Sequence, residues 1–166
     1  MISIIKLPPS KWHIYKDIRL KALYDDPQAF GSTYEVESTF SDEKWQERPL
    51  DNNTIILVAM DQEKVVGMVG AHWEHWEKVR HIAHIWGMFV DKEYRGQGIG
   101  RHLMEEIELK AKERPHTEKI KLEVVTDQET ALELYKNLGY REVGVQERQM
   151  KQNNVYYNSY LMEKLV

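Results

Sequence analysis

The stretch Val90-Asp91-Lys92-Glu93-Tyr94-Arg95-Gly96-Gln97-Gly98-Ile99-Gly100-Arg101 constrains this chain more than any other. An apolar strand pattern from Ile82 to Val90 runs into a short loop with glycines at 96, 98 and 100, and a helical pattern begins at once. Glycines at such a junction leave backbone N–H groups uncovered and let the chain approach a ligand closely. The helix behind them contributes its own unpaired N–H groups and the positive end of its dipole. That geometry holds phosphate. Two common phosphate loops do not fit. A nucleotide-hydrolysing loop closes on Lys-Ser or Lys-Thr, whereas here Gly100 is followed by Arg101-His102; a dinucleotide fingerprint spaces its glycines as Gly-x-Gly-x-x-Gly, whereas these alternate.

The bulk numbers narrow the class. A chain of 166 residues suits a single domain, residues 1–166, with a sizeable core. Its 42% hydrophobic and 30% charged residues describe a soluble globular protein. No apolar run approaches the roughly 18 residues needed to span a bilayer. The start, Met1-Ile-Ser-Ile-Ile-Lys6, lacks the basic segment and long apolar stretch of a signal peptide, so a cytoplasmic location is expected. The absence of cysteine removes disulfides, thiol nucleophiles and cysteine metal sites together. A formal net charge of −4 gives no reason to expect nucleic acid and mildly favours cationic small molecules.

Periodicity supplies the element order. Ile2 to Leu7 reads as a strand stopped by Pro8-Pro9, and Ser10 as the N-cap of a helix carrying Trp12, Tyr15, Ile18 and Ala22. A polar, aromatic stretch covers Gln28 to Thr39, and a short helix starts near Ser41. Thr54 to Met60 and Val65 to Ala71 form a hairpin, followed by irregular chain from His72 to Arg80. After the glycine loop, Leu103, Ile107 and Ala111 mark one helical face. Ile120, Leu122 and Val124 alternate as a strand, Thr126 to Glu129 has the form of a capping box, and Gly139 ends the next helix. Tyr140 to Val145 and Val155 to Leu165 complete the set, joined by a polar loop at Asn153-Asn154. This order predicts an α/β fold with a mixed central β-sheet flanked by helices.

Arg95-x-x-Gly98-x-Gly100 after a strand, and Leu122-Glu-Val124 followed by Gln128, Ala131, Leu134, Tyr135, Gly139 and Tyr140, together resemble the two signatures of the GNAT superfamily of N-acetyltransferases. The resemblance runs in order from about residue 2 to residue 165 and is most specific between Ile85 and Val143. It implies acetyl-CoA as co-substrate, with no metal, and an amine acceptor that is a small molecule or a peptide. It further implies that backbone N–H groups of Met88, Phe89 and Val90 engage the pantetheine and carbonyl. Those of Gly96, Gln97, Gly98, Ile99, Gly100 and Arg101 would take the pyrophosphate, with charge from Arg95 and Arg101. Gln128 stands where most relatives carry an Asn that bonds the pantetheine arm; its amide is kept on a longer stem. Tyr135 is implied as general acid to the departing thiolate, a role worth about 10²–10⁴-fold. A homodimer through the C-terminal strands is expected by the same analogy.

The acceptor side is less determined. A lysine-like amine of pKa near 10.4 is protonated at neutral pH, so a base or water relay is expected. Many relatives place a glutamate on the strand before the glycine loop; this chain has none between His81 and Val90. His84 is the best stand-in, with Glu74 and Glu35 as further candidates. Phe30 and Tyr34, in a stretch resembling the acceptor-side segment of some relatives, would wall the acceptor. Glu35 or Glu37 would attract its amine, and Trp73 and Trp76 would close the far side. His72/His75 and His81/His84 are His-x-x-His pairs, but residues three apart on a strand face opposite ways, so neither pair predicts a metal site. Two rivals stay open: a non-catalytic module that holds acetyl-CoA as a sensor or docking unit, and a nucleotide-phosphate binder using the same loop.

Overall fold

The computed structural model describes residues 1–166. Its centre is one seven-stranded sheet in the order β1-β2-β3-β4-β5-β7-β6. The strands are β1 (Ile2–Lys6), β2 (Thr54–Asp61), β3 (Lys64–Trp73), β4 (Ile82–Val90), β5 (Lys119–Val125), β6 (Arg141–Gln152) and β7 (Val155–Leu165). All neighbours are antiparallel except β4 and β5, which makes the sheet mixed as expected. Helices α1 (Trp12–Asp25) and α3 (Asp42–Leu50) cover one face, and α4 (Ile99–Glu113) and α5 (Glu129–Asn137) the other.

Strand β2 shows why its sequence is apolar without a break. Leu57 and Ala59 face the core under α4, while Ile56, Val58 and Met60 face the core under α1 and α3. A strand covered on both sides has no wet face to alternate with. Helix α4 is amphipathic in the ordinary way: Leu103, Met104, Ile107 and Ala111 are fully buried in its core stripe.

Several local expectations change. α1 starts at Trp12 behind a 3₁₀ turn at Pro9–Lys11, so Ser10 does not cap it; the proline pair nucleates the tighter turn first. α5 starts at Glu129 with Gln128 in the N-cap position, and Thr126 donates to Asp127 rather than forming a capping box. The stretch Gln28 to Thr39 contains a single-turn helix α2 (Tyr34–Glu37), capped by the Thr33 side chain. β3 continues to Trp73, whose indole donates to Thr117 over 3.1 Å in the core, so Trp73 does not wall an acceptor site. β6 runs on to Gln152 through an irregularity between Gln146 and Met150. Arg148 is left-handed there and its N–H bonds Asn158, a side-chain contact that hydropathy does not register. Asn153 and Asn154 are both left-handed and make the two-residue hairpin turn that Asn tolerates well.

One buried charge pair ties α1 to α2. Arg19 is 6% exposed and Glu37 1% exposed, and the guanidinium donates to both carboxylate oxygens over 3.0 and 2.7 Å. Burial pushes the Glu37 carboxyl up, but the Arg19 bonds outweigh it and hold it below its usual range. Removing one partner strands the other charge away from water. Arg19→Ala should therefore cost about 3–5 kcal/mol, read as a fall in the denaturant midpoint, and Glu37→Ala should cost a similar amount.

Candidate active site

The site begins where β4 and β5 part. They are paired only at Ile82–Lys119, Ala83–Ile120 and His84–Lys121, although β4 continues for six more residues. Gly87, at φ +66°, lies in a bulge opposite the Met68–Gly70 step of β3, and an extra residue of this kind bends a strand. From Ile85 to Val90 the β5-facing edge of β4 consequently has no strand partner, which leaves backbone groups of this stretch open to another chain-like ligand, although the Val90 carbonyl is taken by Arg95. A cavity of about 100 Å³ lies in this wedge, lined by Met88, Leu122, Val124, Gln128, Ala131 and Tyr135 among others.

At the end of β4 the glycine loop forms a cradle. The six N–H groups from Gly96 to Arg101 donate to no carbonyl of the protein. Gly96 and Gly98 are left-handed, at φ +77° and +79°, and a Cβ on either would meet nothing within 4 Å, so the surface beside the backbone is open. Gly98 is the N-cap of α4, which places the dipole of a 15-residue helix behind those donors. Gly100 serves a different end: a Cβ there would come 3.1 Å from Met88 and 3.5 Å from Leu134, so its lack of a side chain sets helix against wedge. Asp91, 3% exposed, accepts from the Glu93 N–H and starts the turn that aims the loop.

Both arginines of this loop have carboxylate neighbours. Arg95 donates to the Val90 carbonyl over 2.9 Å and to the Asp26 carboxylate, so it is a strut between the loop and the end of α1. Arg101 sits 3.6 Å from Glu105 on the exposed face of α4.

Tyr135 is the one buried residue of α5, and it reaches the wedge with its ring edge-on to Tyr140 at 6.0 Å. Burial pushes its hydroxyl well above the usual range, which keeps the proton in place. Its hydroxyl has no hydrogen-bond partner in the protein and remains solvent-accessible. Gln128 enters the same wedge at the mouth of α5.

A larger cleft of about 1250 Å³ opens on the α1–α3 side and shares Phe30, Ile85, Trp86, Gly87 and Leu122 with the wedge. Phe30 lines it as expected, with Arg19 stacked on its ring at 5.0 Å. Tyr34 and Glu35 are not brought to the cleft. Tyr34 packs on Tyr24 at 5.7 Å and Glu35 lies exposed on α2, because α2 turns its inner face over to Glu37. Glu37 is locked by Arg19 and offers no free carboxylate to an amine. Trp76 is 77% exposed on its loop, and Glu74 sits beside His72.

Sequence reasoning missed Trp86 and Arg48. Trp86 rests flat on Gly70, where a Cβ would stand 2.3 Å from its ring, and Arg48 stacks on the ring at 5.2 Å. The only advance signal was a glycine in the middle of an apolar strand.

His84 faces the cleft. Burial first, then the charges of Lys121, His72 and Lys119, lower its pKa to about 4, so the ring is neutral near pH 7 and a feeble base. Neither His-x-x-His pair converges: His75 bonds Asn53 instead. The pair that meets is cross-strand. His72 and His84 are register partners with ring centroids 4.7 Å apart, and with Glu74 they present ligand-type atoms within 4.8 Å of one another. Spacing along one strand cannot reveal a group assembled from two, which is why no such cluster was expected; Lys121, paired with His84, adds positive charge beside it.

Residues 20–140 match the model of the acetyltransferase (GNAT) family. The chain belongs to that family. Members of the family transfer acetyl groups from acetyl-CoA. The GNAT fold extends over the whole chain. A GNAT acetyltransferase structure from Streptococcus pneumoniae superposes with a TM-score of 0.87 at 23% identity, covering 100% of both chains. Arabidopsis thaliana NAA60 in complex with a bisubstrate analogue gives 0.78 at 20% identity, over 100% of this chain and 99% of that one. Among characterised relatives, the L-amino acid N-acetyltransferase AaaT of Escherichia coli is 26% identical over 147 residues, 88% of this chain and 90% of that protein. Human N-acetyltransferase 8 is 36% identical over 88 residues, 52% of this chain and 38% of that protein.

Two outcomes test the site. Gly98→Glu puts a carboxylate among the anion donors and should weaken acetyl-CoA binding by roughly 100-fold or more, on the scale of a few lost charge-assisted bonds. Gly98→Ala meets no atom and carries only left-handed strain of about 1–2 kcal/mol, so calorimetry should show a far smaller loss. For His84, the unfolded chain takes up a proton near pH 6.5 while the folded chain waits until about 4. Stability should fall as pH drops through that window, and His84→Gln should lessen the fall in melting temperature between pH 7 and pH 4.5. His72, also lowered by burial, keeps part of the effect.

Proposed function

We propose that this chain is an N-acetyltransferase that moves the acetyl group of acetyl-CoA directly to a primary amine, with Tyr135 as general acid. The observation that carries the reading is the continuity of three parts along one path: the free N–H cradle at Gly96–Arg101, the wedge holding Tyr135, and the acceptor cleft that joins the wedge at Trp86 and Gly87. Acetyl-CoA supplies the acyl group as a thioester. The cradle binds its phosphates, and the unpaired edge of β4 with Gln128 orients the pantetheine arm. The amine enters from the cleft, its nitrogen forms a bond to the carbonyl carbon, and the carbon–sulfur bond breaks. Tyr135 donates its hydroxyl proton to the sulfur, the proton lost by the nitrogen leaves to solvent, and solvent returns a proton to the phenolate. Burial holds the proton on the phenol, so Tyr135 stands in its acid form at neutral pH.

The nucleophile must arrive neutral. Direct transfer of a proton from an ammonium of pKa near 10.4 to a group of pKa about 4 is uphill by roughly 9 kcal/mol, at 1.36 kcal/mol per unit. We therefore assign His84 a polar, orienting place beside the nitrogen rather than that of a strong base. The same positive field that depresses His84 also depresses the pKa of an ammonium bound next to it, and so favours the neutral amine.

Acetyl-CoA should bind with micromolar affinity by calorimetry while ATP stays silent. Tyr135→Phe should lower kcat by ten-fold or more in a thiol-release assay, with CoA affinity unchanged. A fully active Tyr135→Phe would remove the acid role, and acetyl-CoA binding without thiol release from any amine would favour the sensor reading instead.

A further inference from the structure

The large cleft carries charges of both signs, with Glu123 lining both the cleft and the wedge. Arg19 is neutralised by Glu37. Glu163 is engaged by Lys119 and Arg141. Arg48 has no carboxylate partner at all: its one bond goes to the Tyr15 hydroxyl over 2.6 Å. That hydroxyl is buried, with its pKa raised by burial, so it is a neutral acceptor and forms no ion pair with the guanidinium, on which Glu37 acts only at longer range. The guanidinium nevertheless sits held in place, stacked on Trp86 at 5.2 Å with Tyr15 edge-on to the same ring at 6.2 Å. A planar cation fixed in orientation and lacking an anion is built to take a carboxylate by a two-pronged contact.

Position adds to chemistry. Arg48 lines the large cleft, while Trp86 beneath it lines both the cleft and the wedge. An anion on Arg48 therefore lies one aromatic ring away from the gap where the acyl group is presented. Lys121, which makes no ion pair, faces the same cleft from β5.

Resting on the acetyl-transfer reading above, we infer that Arg48, held by Tyr15 and Trp86, is the carboxylate-binding group of the acceptor site, and that the acceptor is an amine that also carries a free carboxylate, as an amino acid does. The amine then points past Trp86 toward the wedge while the carboxylate anchors the molecule at its outer end. This departs from the acidic acceptor site that Glu35 and Glu37 would have made.

The test separates binding from turnover. A panel of N-acetyl-L-amino acids with small, aromatic, acidic and basic side chains, each beside its C-terminal amide, is titrated by calorimetry into the full chain saturated with CoA. The expected result is that at least one acid binds roughly 10- to 100-fold tighter than its amide, the scale of one charge-assisted pair. Arg48→Gln should erase that preference and Arg48→Lys should keep part of it, with CoA affinity and melting temperature near those of the parent. In thiol-release assays the matching free amino acid should show Arg48→Gln raising KM more than it lowers kcat. Acids and amides binding alike, or an acid preference that survives Arg48→Gln, would overturn the carboxylate subsite and leave acetyl transfer standing. Acid-selective binding lost in Arg48→Gln, in a chain that releases no thiol, would support the subsite while removing the transferase reading.

Discussion

The arrangement depends on one short parallel contact. β4 and β5 hold together for three register pairs and then separate. If the pairing continued, the backbone groups of β4 from Ile85 onward would be satisfied within the sheet, and no chain-like ligand could reach them. The bulge at Gly87 bends β4 away, and α5 follows β5 to the other side of the opening. The glycine cradle, Gln128 and Tyr135 all take their positions from those two diverging strands.

Charge divides the molecule as clearly as topology does. On the α4 side the donors are backbone N–H groups backed by a helix dipole, which suit phosphate without any arginine having to swing free. On the α1–α3 side the buried Arg19–Glu37 pair fixes α2 against α1 and removes two charges from play. Arg48, Lys121, Lys151 and Glu123 face the cleft, with the pKa values of His72 and His84 lowered by burial. The sign of the whole chain, −4, says nothing about this local arrangement.

The glycine loop and the wedge were legible in sequence because they are written in backbone geometry. Gly96, Gly98 and Gly100 announce where side chains must be missing, and Tyr135 is placed by a fixed count from Leu122 through the strand-to-helix turn. Acceptor-side groups were misread because they come from separate strands and helices. His72 meets His84 across β3 and β4, and Arg48 meets Trp86 from α3, with nothing in their spacing to say so. Charge was misjudged for the same reason: Glu37 looked free until Arg19, 18 residues earlier, was found bonded to it. Arg95 looked like a phosphate ligand until Asp26, 69 residues earlier, was found on its guanidinium.

That last strut bears on how such a fold diversifies. Asp26 immediately precedes the Pro27–Thr33 segment that edges the acceptor cleft. The segment is thus rooted firmly beside the cradle, while in its middle Gly31 has nothing within 4 Å of where a Cβ would stand. Its root is bound to the glycine loop through Arg95, and its middle has room for new side chains. Substitutions in the middle of this segment can therefore reshape the cleft without moving the glycine loop.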